Sequence, residues 1–580
     1  MGINANYMTL NPLYLINNSY PPSTSVVKNG NLTVENAPSN FGIGMTHGFY
    51  SGKWYWEILL ADKGQFLVGF LTTDTFTNQK SQPHNTTGSY LVYTDTSNNG
   101  QKVEENSFIA LSNFNAGDGD IIGLALDRDN RKFWVSLNGT FINSGDPAGG
   151  SNPVFDSGDI TATTGEFRPI IGTYGGQNVK MTLNAGQDSS FVGQKTSGSA
   201  SAKDGNGFGD FYYTPPTGYL SACQNNIPTS DDIDPAGDNG ADENPTKQFG
   251  IVTYTGNATT GQAISGMGCQ PDLVWAKCRS HAQSNFLSDT SRGINKFVFS
   301  DQDSDEGTGG GYASVYDSFD SDGFTLGTSG SGPNDSGRTY VAWGWRANGG
   351  TTASNSSGSI TSTVQANTKG GFSIMTYTGN GTGGATIGHG LSAKPDFILI
   401  KRRSFDQTWG VYHSSLGATK YIALNTTAAA GTDSAFWNNT EPTSTLITLG
   451  TEGRVNYNTA TYVAYAWHNV DGYSRFGKYL GNYNADGQFI YTGFRPRMLF
   501  VKRSDGTNSW FVWDTARTPA NKMNSYLYWD LSNAEETGYA IDVVSNGFKL
   551  RGQNNATNNN NGEFIYGAWG DVPFKYNNTF

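Results

Sequence analysis

Cysteine is scarce, with only Cys223, Cys269 and Cys278 in 580 residues. Three scattered cysteines exclude a disulfide framework, and without a C-x-x-C pair or a His-rich tract there is no zinc signature, so free thiols are expected. Charge is scarce too: Asp, Glu, Lys and Arg make up 15% of the chain, against roughly 25% in ordinary globular proteins. Long apolar runs are missing. IIGLAL (121–126) ends after a few residues, far short of the roughly 18 that a membrane helix needs, so membrane insertion is not expected. The opening MGINANYMTLNPLYLIN holds no Lys or Arg and no compact apolar core. It does not read as a secretory signal, and synthesis in a cytoplasm is expected. No basic stripe exists to neutralise phosphates, which argues against a nucleic-acid partner. Convincing helical periodicity with caps is absent throughout.

What the chain does have is 75 glycines, 13% aromatic residues and abundant Ser, Thr and Asn. That combination predicts a folded, turn-rich, all-β protein, because disordered chains are poor in aromatic and β-branched residues. The length suggests three to five domains at roughly 100–200 residues each. The net charge is −12, and DDIDPAGDNGADEN alone supplies Asp231, Asp232, Asp234, Asp238, Asp242 and Glu243 with no Lys or Arg. It reads as an extended acidic linker over 230–247, separating a front part (1–229) from the rest.

Beyond that linker the chain repeats itself. YTGN at 254–257 returns at 377–380 and, as YLGN, at 479–482. Lys277, Lys401 and Lys502 follow the tyrosines by 23, 24 and 23 residues, and Asp289, His413 and Asp514 stand twelve residues past each lysine. Trp345, Trp467 and Trp569 close the copies 91, 90 and 90 residues from the opening tyrosine. Chemically different landmarks in constant order and spacing predict three divergent copies of one domain, over 248–349, 371–470 and 471–580, with a Gly/Ser/Thr-rich linker at 350–370. Segments such as GFSIMTYTG have strand composition, and DLVWAK, DFILIK and MLFVK are apolar at successive positions, as in strands buried on both faces. Each copy is expected to be a small antiparallel β-sandwich.

In the front part, GKWYWEI (52–58), VGF (68–70), GDIIGLALD (119–127), FWVSLNG (133–139) and FRPIIG (167–172) resemble the SPRY domain. The resemblance covers most of 45–190 and implies a bent β-sandwich that recognises proteins through its loops. A SPRY-like domain introduced by TLNPL and NGNLTV, followed by PTGYLSACQNNIP and then by repeats carrying YTG, K-x-R-S and DGFTLG, resembles a class of bacteriophage virion proteins, often labelled tail-fibre or structural. The resemblance implies a structural protein on the virion surface, made in the host cytoplasm: a tail fibre or appendage, oligomeric in the particle. Its partners would be other virion proteins and a host glycan or envelope protein. A capsid decoration protein, a soluble lectin and a glycan-degrading enzyme remain alternatives. The third copy departs from the pattern, with Pro496-Arg497 in place of Pro-Asp and a basic motif, KRS, one residue shorter.

Candidate sites compete with plainer readings. GNGTGG (379–384) matches a dinucleotide fingerprint in form, but no helix follows to receive a phosphate, so it reads as a turn. Asp301, Asp303 and Asp305 open a loop resembling a calcium site, yet Glu306 stands where Gly is required and Tyr312 where Glu is. The Lys-x-Arg motifs could hold anionic glycans or pair with the Asp twelve residues on. In the middle copy that partner is His413, so Lys401 and Arg403 are expected to be free. Trp437 could stack on a sugar or pack in a core. No G-x-S-x-G or other nucleophile motif is present, and neither catalysis nor a cofactor is expected.

Overall fold

The computed structural model describes residues 6–573 except 17–25, 73–81, 96, 98, 164, 176–178, 198–201, 229–232, 235–242, 308–314 and 328–331. The chain divides into two compact units, Met1–Pro228 and Thr229–Phe580, and the fold is all-β in both. Among the described residues, no helix is long and apolar enough to cross a membrane.

The first unit is a sandwich of two large, mainly antiparallel sheets. Strand Lys53–Asp62 shows how its sequence builds it. Period-two alternation sends Trp54, Trp56, Ile58 and Leu60 into the core between the sheets. Tyr55, Glu57 and Leu59 face the other way, where the chain from Ala202 to Ser221 covers them. Glu57 pins that cover: its carboxylate accepts the Tyr212 and Tyr213 backbone N–H groups at 2.9 and 2.8 Å and the Asn184 amide at 3.0 Å. Burial pushes its pKa up to about 7. Gly123 relieves crowding, because a Cβ there would stand 2.4 Å from Ser136 Oγ and 2.6 Å from the Tyr55 hydroxyl.

The second unit contains three copies with the same central strand order. In each, the closing strand lies between the opening strand and the lysine-bearing strand: Phe249–Thr255, Thr339–Trp345, Leu273–Cys278; then Phe372–Thr378, Thr461–Trp467, Phe397–Arg402; then Ser474–Leu480, Glu563–Pro573, Phe494–Arg503. The closing tryptophans hold equivalent registers, opposite Leu273, Phe397 and Met498. A second layer of strands completes each sandwich over its own core.

The copies are not separate beads. Alternation along the closing strand of the middle copy points Tyr462, Ala464 and Ala466 into that copy's own core, and Val463, Tyr465 and Trp467 into a core shared by all three copies. At its centre Trp345, Trp467 and Trp569 meet edge to face, with centroids 5.7, 5.3 and 6.0 Å apart. Three copies that each expose an apolar inner face thus bury it against one another.

The proposed linkers are less free than their composition suggests. Most of 230–247 lies outside the described residues, but Ile233 is buried in the shared core and Glu243 lies 3.6 Å from Lys369. Residues 350–370 are not a spacer. They contain strands Ala353–Asn355 and Ser362–Asn367, which pair with each other and extend the middle copy's sheet.

Candidate functional site

The recurrent YTGN turn is held by an asparagine that the sequence did not single out. Asn456 Oδ1 accepts the Asn380 N–H at 2.9 Å, while its Nδ2 donates to the Thr382 and Gly450 carbonyls at 2.9 Å each. Asn334 and Asn558 do the same for the first and third copies. All three are fully buried, so each turn is locked by a satisfied amide. GNGTGG is such a turn, and the chain leaves it as strand Ala385–Gly388, not as a helix.

The three lysines are buried as well. Positions 273, 275 and 277 share one face of a strand, so Lys277 follows Leu273 and Trp275 toward the shared core; Lys401 and Lys502 follow in register. Each ammonium donates to a carbonyl six residues on and to a carbonyl of a neighbouring copy. Lys277 reaches Gln283 (2.8 Å) and Leu531 (3.0 Å). Lys401 reaches Gln407 (2.5 Å) and Asp303 (2.7 Å), and Lys502 reaches Asn508 and Thr427. The first copy thus grips the third, the second grips the first, and the third grips the second, a head-to-tail ring closed within one chain. Burial pushes all three lysines down to about 8.

Beside the lysines, two of the three seams carry the same charged chain. Asp289 pairs with Arg292 at 2.5 Å, Arg292 with Glu306 at 3.1 Å, and Glu306 with Arg403 of the next copy at 2.9 Å. Asp514, Arg517, Glu535 and Arg279 repeat it at 2.6, 3.0 and 2.9 Å. Burial alone would raise Glu306 and Glu535, yet the flanking guanidinium groups hold both below the usual carboxylate range. At the third seam the equivalent residues are His413, Leu416, Ala430 and Ser504, and the whole set is uncharged. Backbone bonds confirm the equivalence: Glu306, Ala430 and Glu535 donate their N–H to Arg403, Ser504 and Arg279.

These placements correct several expectations. Lys401 is buried on two carbonyls and Arg403 is ion-paired, so neither is free. The aspartate twelve residues past the lysine pairs with the arginine three residues beyond itself, not with the lysine. His413 is buried. Its Nδ1 accepts the Ser415 N–H, which leaves Nε2 to donate to the Tyr566 carbonyl at 3.1 Å, and burial pushes its pKa down to about 4. Trp437 packs edge-on against Tyr412 in the middle copy's core and has no exposed face for a sugar. Asp301 accepts the Asn285 N–H, Asp303 offers Lys401 its carbonyl, and the Asp305 N–H bonds to Asp406. Among the described residues, no three His, Cys, Asp or Glu side chains are placed to hold a metal ion. Cys223, Cys269 and Cys278 are free and buried.

The third copy's missing Pro-Asp has a physical reason. Asp272 accepts the N–H groups of Ala347, Gly349 and Gly350, and Asp396 that of Asn469, each in the turn after a closing tryptophan. After Trp569 the chain instead continues as strand to Pro573. Arg497 has no turn to cap.

One surface cluster escaped the sequence reading. Phe405 and Tyr457 are 61% and 54% exposed, the most exposed large apolar side chains described. The Arg402 guanidinium lies against both rings, 4.8 and 4.6 Å from their centroids. Arg402 is the variable middle residue of the K-x-R-S motif; its counterparts are the buried Cys278 and Arg503, which pairs with Asp505 at 2.7 Å.

Comparison with known proteins gives a SPRY domain match over residues 53–188. Among solved structures, the SPRY domain of human HERC1 is 18% identical, with 30% of this chain and 96% of that one covered at a TM-score of 0.21. The TRIM65 PSpry domain is 13% identical over 31% and 92%, also at 0.21. A stonustoxin structure is 13% identical over 30% of this chain at 0.22, and the chain spans only 28% of that protein's length. No curated protein matches. Residues 244–573, more than half of the chain, match the family described as domain of unknown function DUF7483, and the protein is a member of that family.

Proposed function

We propose that this is a bacteriophage virion structural protein on the particle surface: a tail fibre or tail appendage that binds the host envelope or a neighbouring virion protein. The observation that most supports this is how the second unit uses its chemistry. Its conspicuous lysines, arginines and acids hold three copies in a closed ring, which suits a rigid display body better than an enzyme. SPRY domains often mediate protein interactions, and in this reading the first unit docks on another virion protein while the ring presents its loops outward. The protein is synthesised in the host cytoplasm and is oligomeric in the particle. The internal pseudo-threefold arrangement also favours a second reading, a capsid decoration protein seated at a threefold position.

Imaging of intact particles with an antibody against the first unit tests both. A tail appendage gives label at the tail in a small copy number; a decoration protein gives label over the capsid in a number tied to capsid symmetry. Absence of the chain from purified particles would overturn both, leaving a soluble lectin or a glycan-degrading enzyme.

A further inference from the structure

The geometry of the middle copy points to a binding site for an acidic saccharide, a sugar carrying an isolated carboxylate, formed by Arg402, Phe405, Tyr457 and Gln407. It stands on the geometry alone and holds whether or not the chain is part of a virion. Large rings exposed to this degree carry a hydration cost, and two of them flanking one guanidinium are not explained by packing. The third group is the guanidinium itself. The Arg402 side chain makes no hydrogen bond or ion pair among the described residues, and its Nε is buried without a partner. Contact with two rings holds it as a fixed, planar donor, suited to a carboxylate and preorganised at little further entropic cost. Gly453 leaves the floor open: a Cβ there would lie 3.6 Å from Gln407 Nε2, 3.9 Å from Arg402 Nη1 and 3.9 Å from Tyr457 Cδ2. An amide, a guanidinium and a ring edge thus converge on one small notch.

The surroundings select the ligand. Asp406 lies between Phe405 and Gln407 in the chain and Glu452 directly precedes Gly453, so a densely charged polyanion or acidic peptide would meet repulsion around a single free cation. A sugar polymer with neutral residues between its carboxylates would not. Its C–H faces cover the phenyl and phenol rings, one carboxylate takes the guanidinium, and hydroxyls meet the Gln407 amide. The sibling copies lack the set: where the middle copy has Arg402, Phe405 and Tyr457, the first has Cys278, His281 and Asp335. The site therefore belongs to the middle copy alone.

The test is calorimetric titration of the full chain with a hyaluronan tetrasaccharide, with chitotetraose as the neutral comparator and tetraglutamate as the acidic peptide. The wild type is expected to prefer hyaluronan to both. Phe405→Ala and Tyr457→Ala each weaken hyaluronan binding by roughly fivefold or more. Arg402→Gln removes the preference for hyaluronan over chitotetraose. Phe405 and Tyr457 are exposed and Arg402 is half-buried, and unchanged melting curves establish that the variants fold. No hyaluronan binding by the wild type, equal or tighter binding of tetraglutamate, or an Arg402→Gln protein that keeps its acidic preference would each overturn the proposal.

Discussion

Replacing Arg292 with leucine tests whether the seam charges act as one set. Arg292 is fully buried between Asp289 at 2.5 Å and Glu306 at 3.1 Å, and it also donates to the Leu287 carbonyl and the Tyr465 hydroxyl. Removing one member of a buried ionic network leaves its partners desolvated and unpaired, at a cost of about 3–5 kcal/mol. For a unit spanning Thr229–Phe580, an unfolding entropy of about 2.1 cal/mol/K per residue corresponds to about 0.7 kcal/mol per degree, so the melting temperature should fall by about 4–7 °C. The protein itself carries the control. At the third seam Leu416, Ala430 and Ser504 replace the arginine, glutamate and second arginine. A protein carrying Arg292→Leu, Glu306→Ala and Arg403→Ser, with Asp289→Asn to keep an acceptor for Tyr465, has no stranded charge. It should regain at least half of the lost stability, since buried ion pairs are often replaceable by well-packed uncharged sets. Calorimetry of the full chain reads both variants. A shift below about 1 °C for Arg292→Leu, or a fourfold variant no more stable than the single one, would refute the reasoning.

Two further outcomes follow from the same interior. Asn456→Ala strands the Asn380 N–H and the Thr382 and Gly450 carbonyls; denaturant unfolding should show a loss of about 2–4 kcal/mol, whereas Asn458→Ala, at the exposed neighbouring position, should cost little. His413 is held neutral in the folded protein with its pKa near 4, so the unfolded chain takes up its proton first. The contribution of His413 to stability is therefore complete above about pH 6.5 and falls by about 3 kcal/mol on descending to pH 4; His413→Gln should show a shallower loss over that window, read as the difference between the two pH–stability curves.

The repeat was legible because strand identity, the closing tryptophan and the opening tyrosine each sit where a core permits little choice. The ring was not, because its contacts join residues as far apart as Lys277 and Leu531, and nothing local in KCRS says that its lysine points inward. A clue existed in the register: in DLVWAK the lysine falls on the same alternate face as Leu273 and Trp275. The paired loss of aspartate and arginine from HSSL, where the siblings read DTSR and DTAR, was the other. It marks Asp–Arg as the pair and leaves the lysine to another partner. Lys401, Arg403, His413 and Trp437 stand out by residue type, yet Lys401, His413 and Trp437 are interior and Arg403 is ion-paired at a seam. Arg402 is the variable letter of its motif, and repetition marks only what stays fixed.

That asymmetry is what a closed ring of copies should produce. Positions that face the shared core or a seam are constrained by a neighbouring copy, so Lys277, Lys401 and Lys502 cannot change independently of the carbonyls they hold. The seams differ as a set, Asp-Arg-Glu-Arg at two of them and His-Leu-Ala-Ser at the other. Outward positions carry no such linkage. The position of Arg402 is a buried cysteine in the first copy, but it faces outward as a salt-bridged arginine in the third copy and as a ring-flanked arginine in the middle one, and the ring is undisturbed. Divergence in such a unit is a physical guide to function: what varies singly on the outside is free to recognise something, whereas what varies in groups is holding the body together.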